Sequence, residues 1–167
     1  MDSNQKIRDL IVPIDGSAES WRGFDVAIAL ARRLDADIRL VQVVYDPLEV
    51  GWAQATLDTE LIRRRPPIEV AISINVRSTH ASVASEIERV VDNQPGSVVV
   101  MSSHGRGRSA AIVGSVAQDL LARAIGPILL VGPEATDNDF SGPITVTVDG
   151  SDESETALAV ASIWARA

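Results

Sequence analysis

The sequence predicts an α/β fold: a five-stranded parallel sheet, doubly wound, with helices on both faces. Three observations carry that expectation. Short apolar runs alternate along the chain with segments of helical period. Most of these runs are apolar nearly throughout, as strands covered on both faces are. The first run ends on a turn signal, Asp15-Gly16-Ser17, and the last strand is preceded by another, Gly126-Pro127.

Leu10 to Ile14 is the first strand. Ala18 to Leu34 follows as a helix, because Phe24, Ala27, Ala31 and Leu34 recur on one face and Ser17 or Ser20 caps its start. Asp37 to Tyr45 is the second strand. Pro47 to Arg65 is weakly helical, with Trp52, Leu57 and Leu61 as anchors and a stop at Arg65-Pro66-Pro67. Trp52 reads either as a lid or as a packing residue, and packing is favoured. Ile68 to Val76 alternates as a third strand. A helix begins near Ala81 or Ser82 and ends near Val91, burying Ala84, Ile87 and Val91. Ser97 to Met101 is the fourth strand, and Ser102 to Ser109 is a Gly/Arg-rich loop. Ser115 to Ala124 is a helix, and Ile128 to Val131 is the fifth strand.

Composition narrows the function. The chain has 167 residues, 46% of them hydrophobic, enough for one domain and a remnant. A net charge of -8 repels nucleic acid and anionic lipid, so neither is an expected partner. With Cys 0, disulfides, thiolate metal sites and cysteine nucleophiles are all excluded. The polar start, Met1 to Arg8, has no apolar core of a signal peptide, and no run reaches the ~20 apolar residues of a spanning helix. A cytoplasmic location is expected. Two histidines and no cysteine leave no structural zinc site in prospect. No nucleophile elbow or carboxylate pair appears.

The sequence also repeats itself. Ile11 to Ser20 parallels Thr145 to Ser154, and Val26 to Ala29 parallels Leu158 to Ala161. The expected organisation is therefore a domain over 1–133, a linker over 134–142, and a partial second copy over 143–167. Either the chain stops inside a second domain, or its tail is an appendage that docks on this domain or a neighbour's. In both cases the strand expected at Ile144 to Val148 must pair with a sheet edge, plausibly another chain's.

The loop after the fourth strand carries the chemistry. Glycines let backbone approach a phosphate chain, and the free amides and dipole of the following helix favour negative charge. Arg106 and Arg108 add positive charge to an acidic protein, and Ser115 adds a hydroxyl. The blander readings stand beside this: Asp15-Gly16-Ser17 as a turn capping a helix, the loop as a solvated connection, His104 as a loop hydrogen-bonder, Arg63 to Arg65 as a solvated helix end.

These residues resemble the universal stress protein family. Asp15 ends the first strand, Gly105 and Gly114-Ser115 punctuate the loop, and Pro127 to Val131 closes the sheet, over roughly Asp9 to Pro133. Two features depart from the family's pattern: Ser102 stands where its first glycine would be, and the stretch Arg106 to Val113 is one residue short. The resemblance implies the strand order 3-2-1-4-5 of the adenine nucleotide alpha hydrolase-like, flavodoxin-like three-layer sandwich, with a C-terminal strand-helix remnant. It implies ATP at the C-terminal rim, with magnesium arriving on its phosphates. Asp15 would meet the ribose, and backbone near Pro13, Ile14 and Val43 the adenine. Gly105, Gly114, Ser115 and Val116 would hold phosphates, with Met101, Ser102, Arg106, Gly107 and Arg108 completing the site. A regulatory or stress-response role follows, with at most slow hydrolysis, since no base for water is evident. The alternative is an interaction module that has lost nucleotide binding and dimerises through Ile128 to Val131, the C-terminal strand, or both. A nucleotidyl transferase finds no signature here.

Overall fold

The structure is a computed structural model that describes residues 6–103, 113–123, 126–136 and 140–166. Five strands form one sheet: β1 Asp9–Pro13, β2 Asp37–Val44, β3 Ile72–Ser78, β4 Val98–Ser102 and β5 Ile128–Val131. All pairings are parallel, in the order β3-β2-β1-β4-β5. The helices are α1 Ala18–Leu34, α2 Val50–Arg64, α3 Val83–Asp92, α4 Ser115–Arg123 and α5 Asp152–Arg166.

The strands are apolar on both faces because both faces are covered. Leu10, Val12, Ile38, Leu40, Val98 and Val100 point into one core with Phe24, Ala27 and Leu30 of α1 and Leu57 of α2. Ile11, Val41, Val99 and Met101 alternate into the other, against Ala84, Ile87 and Val90 of α3 and Ala117 and Leu120 of α4. The chain crosses from one layer to the other between β3 and β4. The strand order therefore reverses beside β1, and the C-terminal ends of β1 and β4 diverge there.

Local chemistry sets the ends of the helices. Ser17 caps α1 by accepting from the Ser20 amide, and Ser82 caps α3 by accepting from Ser85. Arg65 closes α2 in the left-handed region (φ 50), its amide returning to Leu61, and Pro66-Pro67 forbid continuation.

Four expectations need correction. β3 starts at Ile72 rather than Ile68, because Val70 turns back onto the Pro67 carbonyl and leaves Ile68 in solvent. The stretch read as weakly helical is a 3-10 turn, Pro47–Glu49, capped by Asp46, running into the regular helix α2. Trp52 is not a packing residue: it is 71% exposed, while Ala53 and Leu57 supply the buried face. Arg64 is more than a solvated cation, since it stacks 4.3 Å over Trp21 and pairs with Asp25.

The tail departs from expectation in half. Its helix forms as α5, and Ile163 and Trp164 pack on the α1 side of the core. Residues 144–148 belong to no strand of this sheet. Positions matched by the repeat differ sharply in burial: Leu10 is 0% exposed and Ile144 44%, Val26 5% and Leu158 47%. A β-α unit without neighbouring strands has nothing to cover these side chains.

Candidate functional site

A cleft of about 310 Å³ opens at the C-terminal rim, where the strand order reverses. Its floor and one wall are apolar: Pro13 and Ile14 end β1, Val41 and Val43 come from β2, and Met101 from β4. Val83 and Ile87, one helical turn apart on α3, close the far side. Ser17 and Ser20 line the mouth beside Asp15, and Ser102, Gly114, Ser115, Val116 and Ala117 form the opposite lip.

The Asp15 corner is rigid. Gly16 takes φ 82, a conformation that costs glycine least. One Asp15 carboxylate oxygen accepts from the Ser17 amide at 2.9 Å and from its hydroxyl at 2.6 Å. The Ser17 hydroxyl in turn accepts from the Ser20 amide, and the Ser20 hydroxyl donates to the Ser17 carbonyl. Beyond the turn, the Ile14 amide donates to the Val41 carbonyl, holding the adjoining strand ends together.

The same corner is built again in the tail. Gly150 takes φ 87, and Asp149 accepts from the Ser151 amide and hydroxyl at 2.9 and 2.7 Å. Ser151 accepts from the Ser154 amide at 3.1 Å. The motif thus forms without a sheet on either side, so its hydrogen bonds follow from Asp-Gly-Ser itself. These bonds hold the Asp149 carboxyl down at about 2, the Ser151 hydroxyl contributing most and its amide next.

The opposite lip is the start of α4. Ser103 anchors the end of β4 by donating its amide and hydroxyl to the Val131 carbonyl. Its own carbonyl accepts from the Gly114 amide at 2.8 Å, so the two ends of the intervening loop meet at the cleft. Gly114 caps α4, its carbonyl accepting from Gln118. The Gly114 amide is therefore engaged within the protein. Ser115, Val116 and Ala117, in the first turn of α4, line the lip. Gly23 lets α1 lie close to this point: a Cβ there would stand 3.2 Å from the Ser102 amide nitrogen.

Of the residues singled out in the sequence, Pro13, Ile14, Asp15, Val43, Met101, Ser102, Gly114, Ser115 and Val116 all line this one cleft. Gly105, Arg106, Gly107, Arg108 and His104 lie outside the described residues. Sequence reasoning did not place Ser17, Ser20, Val41, Val83, Ile87 or Ala117 here. For Val41 the signal was its period-two spacing from Val43, and for Ile87 its spacing from Val83. Among the described residues no group of His, Cys, Asp and Glu could hold a metal ion. Among the described residues, too, no helix is long and apolar enough to cross a membrane.

Comparison with known proteins agrees with this architecture. A universal stress protein of Methanocaldococcus jannaschii is 25% identical over 141 residues, covering 74% of this chain and 81% of its own length. A crystal structure of a universal stress protein in complex with cAMP superposes with TM-score 0.57 at 20% identity, covering 76% of this chain and 98% of that one. The universal stress protein of Archaeoglobus fulgidus, in complex with dAMP, gives TM-score 0.56 at 16% identity over 75% of this chain and 98% of its own. Residues 6–132 match the universal stress protein family, and the chain belongs to that family.

Proposed function

We propose that the rim cleft binds an adenine nucleotide, ATP foremost, and that occupancy tunes a regulatory or stress-response role. The observation that carries this is the pairing of two chemistries in one cleft. An apolar slot between Val41, Val43 and Met101 suits a flat base, and the start of α4 across from it suits phosphate. Asp15 stands at the mouth where a ribose would bridge the two. Structural neighbours in complex with cAMP and dAMP support an adenine ligand. Regulation requires that the nucleotide favour one arrangement over another.

The test is thermal melting with ATP and magnesium, cAMP, AMP and GTP. A ligand at ~100 times its dissociation constant stabilises by ~2.7 kcal/mol. A rise with adenine nucleotides that exceeds the rise with GTP supports the reading. No rise at millimolar nucleotide, in a chain that melts cooperatively, refutes it.

A second reading has its own support. The Gly114 amide is already committed to Ser103, and Ser102 brings a side chain to the lip. On that reading the protein is an interaction module that dimerises in the cytoplasm through the β5 edge or the segment 144–148, with 143–167 the opening of a second copy of the domain. A cleft that stays empty in crystals grown with ATP would favour it.

A further inference from the structure

The start of helix α1 divides two clefts. Ser17 and Ser20 line the rim cleft, while Trp21, Arg22 and Asp25 line a second one of about 530 Å³. The end of α2 supplies the other wall of this second cleft, with Arg64 and Arg65 followed by Pro66 and Pro67. The two clefts share no lining residue.

Part of the second cleft is fixed and apolar. Trp21 and Phe24 are buried and meet edge to face at 5.5 Å. Arg64 lies over the Trp21 ring at 4.3 Å and pairs with Asp25 at 3.3 Å, so its guanidinium is already engaged within the protein. Ile28, Pro66 and Pro67 add stiff apolar surface. Arg22 and Arg65 are different: among the described residues neither forms an ion pair. The cleft thus gathers two unpaired cations in a chain of net charge -8. Walls of low dielectric strengthen the pull of such charges on an anion.

The backbone at Arg65 points the same way. It takes φ 50, just past the end of α2, where glycine costs least. The helix end does not need a third cation there, since Arg63 and Arg64 already stand in the last turn. The arginine side chain is therefore held at the cleft against the preference of its own backbone.

We infer that this second cleft binds a small organic phosphate monoester, with Arg22 and Arg65 on the phosphate and the apolar body against Ile28, Pro66 and Pro67. A phosphate monoester carries about two negative charges at neutral pH, which matches the two unpaired arginines. Guanidinium suits it because its planar donors grip phosphate oxygens in pairs. The inference does not depend on what occupies the rim cleft.

Isothermal titration of phenyl phosphate, inorganic phosphate and phenol tests each part. Phenyl phosphate should bind the wild-type chain saturably, inorganic phosphate more weakly, and phenol without saturation. Val43→Phe, which fills the rim slot, should leave the affinity for phenyl phosphate unchanged. Arg22→Gln and Arg65→Gly should each weaken it about tenfold. Glycine suits the left-handed backbone at 65, so the melting temperature of Arg65→Gly should hold or rise, which separates lost binding from lost folding. No saturable binding of phenyl phosphate at millimolar concentration would overturn the inference. So would binding lost in Val43→Phe, affinity unchanged in either arginine variant, or inorganic phosphate bound as tightly as the ester.

Discussion

The two Asp-Gly-Ser corners share one set of hydrogen bonds but sit in different surroundings, and that difference predicts different responses to one substitution. Ser17→Ala removes the cap of α1, for about 1 kcal/mol. It also removes the 2.6 Å bond to Asp15, whose exposed carboxylate recovers much of that loss from water. The total is about 2 kcal/mol. α1 lies in the main core through Phe24, Ala27 and Leu30, so the cost falls on global unfolding. At ~2–4 °C per kcal/mol for a chain of this size, the melting temperature should drop by about 4–8 °C. Ser151→Ala makes the same chemical change, but among the described residues of α5 it is the partly buried Ile163 and Trp164 that pack on that core. The main transition should move by less than ~2 °C, while amide exchange over 154–166 accelerates. Scanning calorimetry and hydrogen exchange on the two variants read both effects. Equal drops in melting temperature would refute the reasoning, because α5 would then unfold as part of the same cooperative unit.

Three further outcomes follow from the geometry. The Asp149 carboxyl is depressed from 3.8 to about 2, so the support its corner gives α5 is complete above about pH 4 and lost as pH falls through about 2; a carboxyl NMR titration with a midpoint near 4 would contradict the Ser151 bonds. Glu86 is 4% exposed and accepts from Arg77, Arg89 and Thr79, and Glu86→Gln turns part of that acceptor set into a donor. Denaturant unfolding should show a loss of about 1–2 kcal/mol, in the lower part of the range because both arginines can rehydrate, and no loss would mean the cluster is dispensable. Ser115→Pro keeps the helix start, where proline is at home, but removes one amide and one hydroxyl from the cleft lip. It should weaken ATP about tenfold, or ~1.4 kcal/mol, and leave adenosine unchanged in parallel titrations; equal losses for both ligands would place the phosphates elsewhere.

Much of this fold was legible because its signals are redundant. Strands buried on both faces appear as unbroken apolar runs, and Ser17, Ser82 and Gly126-Pro127 punctuate the helices around them. The cleft was legible for a topological reason: the order of strands and helices puts Asp15, Val43 and Met101 on one rim wherever the sheet reverses beside β1. Where reading failed, tertiary context decided. Ile68 looks like a strand residue, but Pro67 forces a turn through Val70. Trp52 looks like an anchor, yet the helix it sits on presents Ala53 and Leu57 to the core instead. The alternating segment Ile144 to Val148 resembles β1, which is a strand because β2 and β4 flank it. Nor can sequence tell that the Gly114 amide is committed to Ser103, because that bond spans the whole loop.

The central claim is that the rim cleft takes an adenine nucleotide with its base between Val43 and Met101. Isothermal titration of ATP and GTP into the wild-type chain and into Val43→Phe tests it most directly. Val43 is half-buried at the cleft wall, so the larger ring fills the base slot without entering the core. The account predicts saturable binding of ATP in preference to GTP, lost in Val43→Phe while its melting temperature is kept. Equal ATP binding by the filled variant, or no binding by the wild type at millimolar nucleotide, would contradict it.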